Sequence, residues 1–230
     1  MRKRAAYKEK TECLISEIKL SLILYDKGMK ELNNLSYGLD NIHWGLELIY
    51  VPIFLLSNSL ERLIKCVLCL ILLKKDGDFE EKPYDKRKEG HDLEALLKRL
   101  IEVINNPKYK NYFYDLHLEV KEFGEDEAMI QILEALSDFG TGARYYNLDV
   151  IMSGESKIES PIVAWDGIEM GILMKTRGQD GFRQIPDGGR MKETQKEIIN
   201  KINKLYILVT KILKASGFEE LIYGRKNGEQ

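Results

Sequence analysis

Between Ile49 and Leu73 the chain reads IYVPIFLLSNSLERLIKCVLCLILL, apolar on nearly every helical face apart from Ser57, Asn58, Ser59 and the charged Glu61, Arg62 and Lys65. A helix that is hydrophobic all round is packed on several sides. The stretch therefore predicts the central helix of an all-α domain. Pro52 falls in its first turn, where the missing N–H costs nothing, and Lys74-Lys75-Asp76-Gly77 supplies last-turn cations and a glycine stop. A membrane span is the competing reading. Glu61, Arg62 and Lys65 near the middle, at roughly 2.5–3.5 kcal/mol each in lipid, exclude it. In a bundle, Glu61 and Lys65 pair at i,i+4 in the favourable order.

Spacings of three and four recur on both sides of this helix. Leu14, Ile18, Leu22, Tyr25, Met29 and Leu32 predict a first helix over about 8–35, ended by Asn33-Asn34 and Ser36-Tyr37-Gly38, with Asp40 or Asn41 as a cap for the next helix. The charge-dense KKDGDFEEKPYDKRKEG (74–90) reads as a solvated linker. Leu93, Leu96, Leu97, Leu100, Ile101 and Ile104 form the face of a third helix, capped by Asp92 or, in the alternative frame, by His91 with Glu94 at N3. After a Tyr/Phe-rich connection (107–124), Glu125-Asp126-Glu127 open a fourth helix carrying Met129, Ile132, Leu133, Leu136 and Phe139. Gly140 and Gly142 either end that helix or admit another backbone.

Ser160-Pro161 starts a short fifth helix with Ile162, Trp165, Ile168, Ile172 and Leu173. The glycine-rich 176–190 predicts a mobile loop, and Thr194-Gln195-Lys196-Glu197 is a capping-box pattern before Ile198, Ile202, Leu205, Val209 and Ile212. No strand pattern competes. The fold class is all-α: an up-and-down bundle of about five to six helices in a single domain over 1–230, with a core of about 8–150, a helical extension of about 155–217 and a disordered tail of about 218–230.

With 44% hydrophobic and 31% charged residues in 230, the chain can bury a substantial core. The net charge of −2 and pI near 6.0 argue against a strongly basic nucleic-acid binder. A local exception is Lys175 to Lys214, with ten Lys/Arg against four Asp/Glu. This is either the solvated face of the last helix or a surface for an acidic partner or RNA. Met1-Arg2-Lys3-Arg4 is not followed by an apolar run, so no secretory signal is read and the cytoplasm is expected. Cys66 and Cys69 form a C-x-x-C inside the central helix without a second ligand pair, which reads as core packing; Cys13 has no nearby partner.

Nucleotide-loop, zincin and serine-hydrolase signatures are absent, as are facing Glu-x-x-His pairs for a di-metal bundle. No metal site, cofactor or membrane association is expected. Metal-free phosphodiester cleavage needs a base, an acid and a cation at one phosphate, and histidine is the side chain suited to the first two near neutral pH. His43 and His117 have no arginine close in sequence. His91, four residues after Arg87, is the candidate catalyst.

LERLIKCVLCL (60–70), a polar loop, GHDLEALL (90–97) opening the next helix, and ARYY (143–146) together resemble the HEPN superfamily of helical-bundle domains over about residues 45–150. The resemblance implies an up-and-down bundle, usually dimeric, from toxin–antitoxin, antiphage and nucleotide-transferase-associated proteins. Many members are metal-independent ribonucleases with an Arg-x(4–6)-His signature. Here Arg87 and His91 have only three residues between them, in a loop, and Arg144 at the late position has no histidine after it. The resemblance would gather Glu61, Lys65, His91, Arg144 and Tyr145. That gathering is either a register-fixing polar network or a cleft in which Arg144 and Lys65 hold an anion while Tyr145 stacks on a ring. Two functions are compatible with it: a noncatalytic, homodimeric module binding a protein partner or a nucleotide or RNA-like ligand, or a divergent ribonuclease using Arg87 and His91.

Overall fold

The computed structural model describes residues 2–34, 47–85, 89–142, 150–152, 160–184 and 187–216, and they form an all-α bundle. Its helices are α1 (Arg2–Asn34), α2 (Tyr50–Leu72), α3 (Leu93–Asn105), α4 (His117–Glu125), α5 (Glu127–Thr141), α6 (Pro161–Gln184) and α7 (Asp187–Ala215). Short 3-10 turns at Glu47–Ile49 and Tyr114–Leu116 precede α2 and α4. Among the described residues no helix is long and apolar enough to cross a membrane.

The central helix lies where its apolar run places it, packed against α1, α3, α5 and α7. Leu56, Leu60, Leu63, Ile64, Val67 and Leu68 are wholly buried. Its serines decide how closely the neighbours approach. Ser21 and Ser59 each donate a hydroxyl hydrogen bond of 2.8 Å to the other's carbonyl, binding α1 to α2 in antiparallel register. Ser57 donates to the Leu136 carbonyl of α5 at 2.7 Å. These bonds satisfy hydroxyls that burial would otherwise make costly. Glycines on the neighbouring helices allow the close approach: a Cβ on Gly28 would lie 2.9 Å from Leu56 Cγ, and one on Gly140 would lie 2.8 Å from Ser57 Oγ. Gly140 thus admits a neighbour, while Gly142 is the C-cap of α5.

Caps set several boundaries. Asp92, not His91, caps α3, accepting from Ala95 N at 2.9 Å. Asp126 accepts from the Ala128 and Met129 amides at 3.1 and 3.3 Å and also receives Lys201 from α7. Burial pushes the Asp126 carboxyl up, but the hydrogen bond from Lys201, with the two amides, outweighs it and holds the group below its ordinary value. A depressed carboxylate stabilises the fold above its unfolded pKa of about 3.9, and that contribution fades as pH falls through the lower folded value. Asparagine keeps the cap but not the charge. Asp126→Asn is therefore expected to cost about 1 kcal/mol at pH 7, with the gap to wild type narrowing below about pH 4 in thermal melts.

Four expectations are corrected. The 107–124 connection contains α4, anchored by wholly buried Val120 and by Lys211 of α7 on Glu119 at 2.9 Å. Among the described residues of 176–190, 176–184 belong to α6, broken at Gly178 (φ 64°), and 187–190 to α7. The Thr194 pattern is not a helix start, because α7 begins at Asp187; Thr194 and Gln195 are buried, and Gln195 donates to the Leu32 carbonyl in the last turn of α1. The 74–90 segment is no free linker, since Lys10 of α1 and Arg99 of α3 fasten it to the body. The expected cap at Asp40 or Asn41 and the tail from 218 lie outside the described residues. Helix α7 shares the core of α2 through Ile198, Ile202, Leu205 and Val209, and its Tyr206 stacks on Tyr25 of α1 with ring centroids 3.6 Å apart.

Candidate functional site

Glu61 and Lys65 occupy one stripe of α2 and pair as their spacing requires, Lys65 Nζ donating to Glu61 Oε1 at 2.6 Å. Their side chains are only 15% and 17% exposed, so each charge needs its partner. The second Glu61 oxygen, Oε2, lies 2.9 Å from His91 Nδ1. Lys65 also donates to the Gly90 carbonyl and sits 5.1 Å from the centre of the Tyr84 ring. Three expected residues, Glu61, Lys65 and His91, thus come together where the segment before α3 crosses α2. Arg87, Arg144 and Tyr145 lie outside the described residues.

Arg62 is the pocket residue that stripe reasoning passes over. One residue off the Glu61–Lys65 line, it points toward α1 and donates through one nitrogen to Glu17. Antiparallel pairing of α1 with α2 produces that contact across 45 positions of sequence. A guanidinium has five N–H donors, and among the described residues the others on Arg62 have no partner. His91 is 57% exposed, and its Nε2 likewise has no described partner. Arg62 and His91 line a pocket of about 370 Å³ with Glu61, Lys65 and Tyr84.

Beside it opens a cleft of about 1130 Å³ between α1 and the 73–85 segment, lined by Ala6, Leu14, Phe79, Pro83 and Tyr84 among others. Composition alone makes this segment a solvated linker; its bonds make it a wall. An isolated bridge joins Leu73 to Phe79, and Lys74 N donates to Asp78 O at 2.8 Å. Gly77 takes φ +90°, and a Cβ there would meet Tyr7 N at 2.9 Å, so only glycine lets the turn lie this close to α1. Lys10 Nζ donates to the Gly77 carbonyl at 2.5 Å. Arg99 of α3 reaches Glu81 at 3.0 Å and the Lys82 carbonyl at 3.3 Å. Lys108 and Tyr109 both donate to Glu80, whose carboxyl they hold below its ordinary value.

The three cysteines divide. Cys66 is buried as core packing requires, Cys69 is half-buried and lines both cavities, and Cys13 is exposed on the wall of the larger one. Among the described residues no group of His, Cys, Asp or Glu is arranged to hold a metal ion. The lysine-rich segment is partly spent on structure: Lys175, Lys201 and Lys211 pair with Glu127, Asp126 and Glu119. Comparison with protein-family models, curated proteins and solved structures finds no match for this chain.

Proposed function

We propose that this chain is a noncatalytic HEPN-like helical module that works in the cytoplasm as a homodimer and binds a phosphate-bearing, nucleotide-like ligand at Arg62 and His91. One observation carries the reading: both side chains line the same pocket with nitrogens to spare, N–H donors on Arg62 and, on His91, an Nε2 that donates when the ring is protonated, while Glu61 and Lys65 behind them pair with each other. An arginine fork of this kind matches phosphate geometry. Titration calorimetry with AMP and inorganic phosphate at low salt is expected to show binding that weakens at high salt and falls about tenfold in Arg62→Gln, the loss of one charge-assisted hydrogen bond. No heat from either ligand with wild-type protein at low salt would end this reading.

The dimer has its own support. Val163, Met170 and Met174 repeat along α6 at near-heptad spacing and remain 52%, 45% and 39% exposed. Light scattering at micromolar concentration is expected to give about twice the 26.6 kDa of one chain. A stable single-chain mass refutes the dimer but leaves the pocket.

A second reading is kept for the 2.9 Å separation of His91 Nδ1 and Glu61 Oε2. A neutral imidazole donating to a carboxylate from Nδ1 turns its Nε2 lone pair outward, the orientation of a general base. With Arg87 supplying the cation, this is the divergent metal-independent ribonuclease. Wild-type cleavage of mixed RNA in EDTA, lost in His91→Ala, selects it over the noncatalytic module.

A further inference from the structure

We propose that the larger cleft beneath the 73–85 segment holds the flat apolar body of an organic anion whose charged group sits against Arg62 and His91. This inference rests on the anion site proposed above and adds the chemical class of ligand that site receives. The two cavities adjoin, sharing Leu14, Cys69 and Tyr84 in their linings. Their chemistry changes along the shared wall. At the smaller end are Arg62 with unspent N–H donors and His91 with an unpartnered Nε2 that donates when the ring is protonated. At the larger end the cations are committed: Lys10 bonds the Gly77 carbonyl and lies 4.8 Å from the centre of the Phe79 ring, and Lys82 lies 3.3 Å from Asp85.

Ala6, Leu14, Phe79, Pro83 and Tyr84 give that end rings and aliphatic surface, with Glu9, Asp85 and two cysteines also in its lining. Organic-ligand sites combine such walls with a few placed polar groups and span roughly 300–1,000 Å³. The larger cleft alone, at about 1130 Å³, lies just above that range. An inorganic anion reaches only the small pocket and leaves the larger cleft wet. An aromatic ring system carrying one anionic group spans both, burying its rings against Phe79 and Tyr84, where aromatic pairs gain beyond their area.

Cys13 makes the occupancy measurable. Burial pushes the thiols of Cys66 and Cys69 up to about 12 and about 11, so they remain protonated and slow to alkylate at pH 7. Cys13 is exposed on the cleft wall and takes a small maleimide first. The probe is 8-anilinonaphthalene-1-sulfonate, a fused-ring sulfonate, added to the full chain. One molecule is expected to bind per chain, to slow Cys13 alkylation at least fivefold, and to be displaced by excess phosphate. Ala6→Phe, which fills the apolar end, is expected to weaken the probe at least tenfold and to leave phosphate affinity within twofold. Unchanged Cys13 alkylation in wild-type protein, with phosphate still binding, overturns this inference and leaves the anion site standing. Failure of phosphate to bind wild-type protein overturns the anion site, and the charged half of this inference with it. The protection measurement needs no variant, so misfolding of Ala6→Phe does not rescue the idea.

Discussion

Leu60→Ala is expected to lower the unfolding free energy by about 3–4 kcal/mol, read as a shifted urea midpoint at unchanged slope. Leu60 is wholly buried on a helix that meets α1, α3, α5 and α7. Several rigid neighbours surround the side chain, so the space cannot collapse when it is cut back. The cost therefore includes a cavity as well as lost transfer energy. Leu48→Ala supplies the contrast: Leu48 is 59% exposed in the 3-10 turn before α2, and its truncation is expected to stay within about 0.5 kcal/mol. A Leu60→Ala cost below about 1 kcal/mol contradicts a central helix packed on several sides.

That helix is the most legible element of the sequence because all-round apolarity has few solutions. The expected span of 49–73 and the observed Tyr50–Leu72 differ by one residue at each end. The cap at Asp92 is legible by residue type and the acidic run 125–127 marks the next helix start, since capping is local chemistry between a side chain and amides two or three positions on, although the sequence does not single out Asp126 within that run. Non-local bonds are not. Ser57 and Ser59 stand out as a polar patch, but nothing near them in sequence names Leu136 and Ser21 as their partners. The 74–90 segment is misleading for the same reason. Its charges look solvated until Lys10, Arg99 and Lys108 arrive from α1, α3 and the turn after α3.

The site divides along the same line. Glu61 and Lys65 are readable as a four-residue pair, and His91 as the residue beside a cap. Arg62 is not, because its partner Glu17 belongs to another helix. The helical backbone of 179–184 shows the opposite weakness. Each glycine in a helix costs about 1 kcal/mol relative to alanine, so glycine-rich composition argues for a loop. That local cost is small enough for a folded chain to override, and the break is confined to Gly178.

Glu61→Ala is expected to cost about 3 kcal/mol, more than the exposed His91 beside it suggests. Glu61 Oε1 and Oε2 serve Lys65 at 2.6 Å and His91 at 2.9 Å. Removing the carboxylate strands the Lys65 ammonium at 17% exposure, with the Gly90 carbonyl and the Tyr84 ring as its described contacts. Breaking one half of a buried pair is worse than deleting both halves. The double variant Glu61→Met with Lys65→Met is therefore expected to recover at least half of the loss. His91→Ala removes a side chain that is 57% exposed and is expected to cost less than about 1 kcal/mol. These variants, with Arg62→Gln, separate structure from function. A stability loss largest in Glu61→Ala, with ligand binding or RNA cleavage weakened most in His91→Ala or Arg62→Gln, assigns the ion pair to the scaffold and the outward nitrogens to the ligand. A double variant no more stable than Glu61→Ala contradicts the paired-charge account.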